Sequence, residues 1–135
     1  MFRRVLQVRS PRRGLHEITP EVAEVVRESG VQEGMCHVFL QHTSASLVLN
    51  ENWDPSVRTD LEAALDRLAP EDHPSYTHTT EGADDMPSHI KAALTPASLS
   101  IPVAEGRLAL GTWQGLYLWE HRDHPGPRNL VVTVF

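Results

Sequence analysis

The chain has 135 residues, enough for one domain and too few for two full ones. Apolar residues make up 40% of it, sufficient for a single core, and no apolar run approaches the roughly 20 residues that cross a bilayer. The lone cysteine, Cys36, excludes an internal disulfide, and the start at Met1-Phe2-Arg3-Arg4-Val5 lacks the apolar stretch of a signal peptide, so a cytoplasmic location is expected. The formal net charge is −6, and although Arg3, Arg4, Arg9, Arg12 and Arg13 gather near the start, no aromatic residue interleaves with Arg9, Arg12 and Arg13 for base stacking. Nucleic-acid and membrane partners are therefore not expected.

Phe2–Val8 reads as a first strand, Pro11 to Gly14 as a turn, and Leu15–Ile18 as the start of a return strand. Thr19-Pro20-Glu21 reads as a helix start, with Thr19 as the cap, Val22, Val25 and Val26 as the apolar face, and Gly30 as the stop. Met35–Leu40 and Thr43–Leu49 alternate as strands, with Cys36, Val38 and Leu40 on one face of the first. Asp54-Pro55 opens a second helix whose stripe is Val57, Leu61, Ala64, Leu65 and Leu68, ended by Pro70. From Glu71 to Met86 periodicity fades, and a loop of that length inside a compact domain is usually functional or disordered.

Ser88–Leu94 then reads as a third short helix. The remaining strands are Ser98–Val103, Arg107–Leu110, Trp113–Trp119 and Asn129–Phe135, with Glu105-Gly106 as a hairpin turn. Strands outnumber crossover helices, so the pattern predicts one α+β domain over 1–135: an antiparallel, jelly-roll-like β-sandwich of about eight strands with three short helices.

Eight histidines is a high number for this length. His16, His73, His121 and His124 fall in or near turns and loops, are expected to be exposed and receive no role, while His37 faces either the core or a cavity. His42 sits between two apolar strands, His78 lies in the acid-rich loop, and His89 falls in the first turn of the third helix. Imidazoles with nearby carboxylates suit zinc and similar ions, although no H-E-x-x-H signature is present. Asp60 borders the second helix's apolar stripe, where a carboxylate must be paired, capped by donors or exposed at a cavity mouth. Glu51 has no structural task visible in the sequence. Gly111-Thr112-Trp113-Gln114-Gly115 suggests close backbone approach, and Lys91 is the only lysine among twelve basic residues.

Taken together, these segments resemble the YjbQ-like family. The resemblance rests on His42-Thr43-Ser44-Ala45-Ser46, Asn50-Glu51-Asn52, Asp54-Pro55-Ser56-Val57 with Asp60, and Tyr76-Thr77-His78. It continues through Pro87-Ser88-His89-Ile90-Lys91, Ser100-Ile101-Pro102-Val103, Gly106-Arg107-Leu108 and the Gly111–Gly115 segment, covering nearly the whole chain. The chain departs from the pattern at Glu81-Gly82-Ala83-Asp84-Asp85-Met86, which is richer in acids.

The resemblance implies a β-sandwich with packed helices, assembled as a homotrimer. It also implies a secondary thiamine-phosphate synthase, joining hydroxymethylpyrimidine diphosphate to a thiazole phosphate and releasing pyrophosphate. His42, His78 and His89 would be metal or anion ligands around a divalent cation, magnesium or zinc. Asp60, His89 and Glu51 are then the catalytic candidates. Lys91, Arg107, Gln114 and Ser88 are candidates to meet phosphate, and Trp113 to stack on a ring. Two alternatives stand beside the synthase: a metal-dependent hydrolase of a small phosphorylated substrate, and a non-catalytic trimer that binds a metal or an anion.

Overall fold

Sequence period dictates where each element lies. The computed structural model describes residues 1–135. The elements in chain order are β1 (Phe2–Val8), β2 (Gly14–Glu17), α1 (Thr19–Ser29), β3 (Gly34–Leu40), β4 (Ala45–Glu51), α2 (Pro55–Leu68) and α3 (Asp85–Leu94). They continue with β5 (Ser98–Ala104), β6 (Arg107–Leu108), β7 (Gln114–Glu120) and β8 (Arg128–Val134). Every strand pairing is antiparallel. A five-stranded sheet runs β1-β8-β3-β5-β6, and a three-stranded sheet runs β2-β7-β4. The α+β sandwich expected from the sequence is the architecture observed.

The core follows from alternation. Cys36, Val38 and Leu40 of β3 meet Ile101 and Val103 of β5, Leu130, Val132 and Val134 of β8, and Leu47, Leu116 and Leu118 of the small sheet. Val22, Val25 and Val26 bring α1 into the same cluster. On the opposite face of the small sheet, Tyr117 and Trp119 pack with Leu15 and with Leu65 of α2. Period-2 alternation thus serves two cores from one strand, β7. No helix is long and apolar enough to cross a membrane.

Local chemistry sets the element ends, and several differ from the sequence reading. Thr19 is not the cap of α1; the cap position is Ile18, and the Thr19 hydroxyl instead accepts the Leu116 N–H at 2.8 Å, tying the helix to β7. Asp54 does cap α2, accepting the Ser56 N–H at 2.9 Å, but only Leu65 of that helix is buried and Leu68 is 70% exposed. The strand after β3 begins at Ala45 and not Thr43, because the Thr43 and Ser44 carbonyls accept from His89 and Arg128 side chains. Helix α3 starts at Asp85, three residues before Ser88. Pro87 fits there because the first-turn N–H groups have no partner within a helix. Between β5 and β6, Glu105 and Gly106 both have positive φ (52° and 74°), the signature of a tight hairpin turn.

Cys36 is fully buried in β3, and burial pushes its thiol up to about 11. A thiol reagent should leave the native chain unmodified at neutral pH and titrate one equivalent after denaturation. Rapid native labelling would mean that β3 does not lie at the centre of the large sheet.

Candidate metal centre

Helix geometry brings the first two groups together. Asp85 and His89 are four residues apart in α3 and so share a face. His89 Nε2 lies 3.1 Å from Asp85 Oδ2. The preceding loop folds back to place His78 Nε2 2.7 Å from the same oxygen. The donor atoms of His78, Asp85 and His89 all lie within 4.8 Å of one another. The two imidazole rings meet edge to face, with centroids 5.5 Å apart.

Hydrogen bonds define what each atom offers. His89 Nδ1 lies 3.1 Å from the Thr43 carbonyl oxygen, an acceptor only, so Nδ1 carries the proton. In the neutral ring, Nε2 then directs a lone pair at a carboxylate oxygen. That contact is stable only with a proton or a cation between the two atoms. A ligating histidine commonly donates its other N–H to a backbone carbonyl, which is the arrangement of His89.

Asp85 is buried, and burial pushes its carboxyl up. The hydrogen bond from His78 and the charges of His89 and Arg122 more than offset this, holding it below the ordinary carboxylate range. Two imidazole nitrogens and one carboxylate oxygen form a donor set suited to zinc-like ions. Bonds of about 2.1 Å place tetrahedral donors about 3.4 Å apart. The observed 2.7 and 3.1 Å separations need to open only slightly to admit an ion.

A cavity of about 390 Å³ adjoins the cluster, with Tyr76, Gly82, Met86 and His78 among its lining residues and no lysine or arginine. Its size lies within the range of small-molecule sites.

The structure separates the other sequence candidates. His42 is not in the cluster: its Nε2 accepts the Asn129 N–H at 2.8 Å, and its Nδ1 faces Arg128. Burial and the Arg128 guanidinium hold His42 below the ordinary histidine range. Asp60 is exposed on α2 with no bonded partner, because the helix buries little beyond Leu65 and leaves that edge in solvent. Glu51 has a structural task after all, accepting the Asp54 N–H at 3.2 Å. Lys91 follows His89 by two residues and points away from it, as helix geometry requires. It is buried, with Nζ 2.6 Å from Asp66, beside a separate cavity of about 70 Å³.

Ser88 is also buried, its Oγ 2.8 Å from the His121 carbonyl. Gln114 staples its own loop by accepting the Gly111 N–H at 2.8 Å. Trp113 packs on exposed Trp53 with centroids 5.3 Å apart, and Arg107 lines a groove beside α1. These residues do not converge on the histidine–aspartate cluster within one chain. Sequence reasoning misses Asp85 because its pattern starts the third helix at Ser88, whereas α3 begins at Asp85. The i, i+4 relation to His89 was the signal that could have found it.

A profile described as "UPF0047 protein YjbQ-like" matches residues 4–135. The chain belongs to this family. The UPF0047 protein sll1880 of Synechocystis is 50% identical over 96% of the chain and 88% of its own length. The UPF0047 protein YjbQ of Salmonella typhimurium is 48% identical over 98% of the chain and 96% of its own length. A YjbQ/UPF0047 crystal structure from Clostridium acetobutylicum aligns with a TM-score of 0.85 at 38% identity, covering 100% of both chains. The hypothetical protein APE1520 of Aeropyrum pernix aligns at 0.90 with 27% identity, covering 100% of the chain and 98% of its own length.

One further histidine differs from the sequence reading. His121, expected in an exposed turn, is 1% exposed, with Nε2 2.8 Å from Ser46 Oγ. Burial, then the like charges of Lys91 and Arg128, push it down to about 3. The unfolded chain therefore binds a proton near pH 6.5 that the folded chain refuses, so stability is full above that value and falls as pH drops toward 3. Denaturation at pH 5 should show about 2 kcal/mol less stability from this group than at pH 7.5. His121→Gln should flatten the profile over that window; an unchanged slope would contradict the assignment.

Proposed function

We propose that this chain is a divalent-cation-dependent enzyme acting on a small phosphorylated substrate. His78, Asp85 and His89 hold the ion, and the adjoining cavity of about 390 Å³ holds the substrate. The observation that carries this reading is His89, whose Nδ1 faces the Thr43 carbonyl while Nε2 faces Asp85 Oδ2. Its donor set favours zinc over magnesium.

The reaction we assign from the family resemblance is the condensation of hydroxymethylpyrimidine diphosphate with a thiazole phosphate, releasing pyrophosphate. A bound divalent cation supplies neutralisation of the departing diphosphate. The chain's own contribution is to fix the three donors and to wall the cavity with Tyr76 and Met86.

Hydrolysis of a phosphate ester is the second reading, favoured by one observation. No lysine or arginine lines this cavity, whereas two phosphorylated substrates together present several negative charges. A singly phosphorylated substrate needs less compensation. Assembly as a homotrimer belongs to the same proposal, supported by the exposed Trp53 and Trp113 pair.

Chelator-treated protein should regain turnover of the two thiamine precursors when zinc or magnesium is restored. Asp85→Asn and His89→Ala, which remove ligands, should each lower it by at least the roughly 10- to 100-fold typical of losing a group that merely orients a ligand. Turnover indifferent to chelation and to both substitutions would contradict the metal-dependent reading. Activity confined to unrelated phosphate esters would select hydrolysis, and tight metal retention without turnover would leave a binding role alone. Sedimentation at three times the chain mass is the expected assembly state, and a monomer would contradict it.

A further inference from the structure

One side chain reaches the acidic stretch around the cluster from a different part of the fold. Arg122 follows β7. Its Nε donates to Asp84 Oδ2 at 3.0 Å, Nη1 donates to Asp85 Oδ1, and Nη2 donates to the Glu81 carbonyl at 3.0 Å. Three nitrogens of one planar group thus hold the loop and the first residue of α3 in a single geometry.

The backbone that carries Arg122 is itself fixed. The N–H groups of His121 and Arg122 both donate to Glu120 Oε1 at 3.1 Å. Glu120 is fully buried and takes a two-pronged bond from Arg128, at 2.7 Å from Nε to Oε2 and 2.5 Å from Nη2 to Oε1. Arg128 Nη2 also donates to Ser44 Oγ at 2.9 Å, beside the Thr43 carbonyl that orients His89. The backbone from which Arg122 extends is therefore anchored from behind.

We propose that Arg122 is a positioning residue for the ion site, an inference that rests on the metal-centre reading above. With Oδ1 occupied by the guanidinium, Asp85 has one oxygen, Oδ2, directed at His78 and His89. The carboxylate is thereby presented as a single-oxygen ligand and cannot rotate to withdraw it.

Simple electrostatics acts in the opposite direction. A positive charge beside a cation site weakens cation binding, so removing Arg122 should tighten it if charge alone matters. Positioning predicts that removal loosens it. The sign of the effect decides between the two.

The test is a cobalt(II) titration of the chelator-treated full chain, read by ligand-field absorption, for wild type, Arg122→Gln and Arg122→Lys. Wild type should bind cobalt with a tetrahedral-type spectrum. Both variants should lose about 10- to 100-fold in affinity, because lysine keeps the charge but cannot span three acceptors. Affinity unchanged or tighter in Arg122→Gln would overturn the inference and leave the ion site standing, as would wild-type affinity in Arg122→Lys. If both variants unfold, Asp84→Glu keeps the charge but displaces the oxygen that accepts from Arg122 Nε, without touching a ligand, and should weaken cobalt binding, whereas charge alone leaves it unchanged; no change would overturn the inference. Wild-type protein that takes up no cobalt would overturn the metal-centre reading itself.

Discussion

A buried carboxylate needs compensation, and this end of the fold is organised around one. Asp85 is 2% exposed, and its two oxygens receive two imidazoles and a guanidinium. Leaving such a charge unpaired would be strongly destabilising. The three partners come from separate parts of the chain: the loop before α3, α3 itself, and the segment after β7. Their convergence holds the long irregular stretch against the sandwich.

Behind that carboxylate stands a second buried pair, Glu120 with Arg128. It joins the end of β7 to the start of β8, and Arg128 reaches on to Ser44 and His42. His42 is therefore linked to the cluster through Arg128, Glu120 and the backbone of Arg122, without contributing a donor to it. Its ring faces N–H donors at both nitrogens, which disfavours the protonated form.

The period-2 and period-3.6 patterns made most of the fold legible. The eight strands and three helices lie close to their predicted spans, since alternation and Pro/Gly punctuation are local signals. The candidate site was legible only in part. His78 and His89 stand out in the sequence, but Asp85 does not, because the sequence pattern starts the helix at Ser88. The placement of Lys91 opposite His89 was implicit in their two-residue spacing.

Arg122 gave no local signal, since its bonds to Asp84 and Asp85 span 38 and 37 residues. Asp60 and His121 exchanged expectations for one reason: burial depends on which segments meet. Asp60 lies on an uncovered helix edge, whereas His121 is covered by β4 and α3 residues such as Ser46 and Ser88.

His78, Asp85 and His89 are proposed to share one ion. A crystal structure of the full chain grown with zinc, with anomalous data collected at the zinc edge, tests it most directly. An anomalous peak bonded to His78 Nε2, Asp85 Oδ2 and His89 Nε2 is expected, with His89 Nδ1 still donating to the Thr43 carbonyl. A zinc-grown crystal with no peak at these atoms, or with zinc bound only elsewhere, would contradict it.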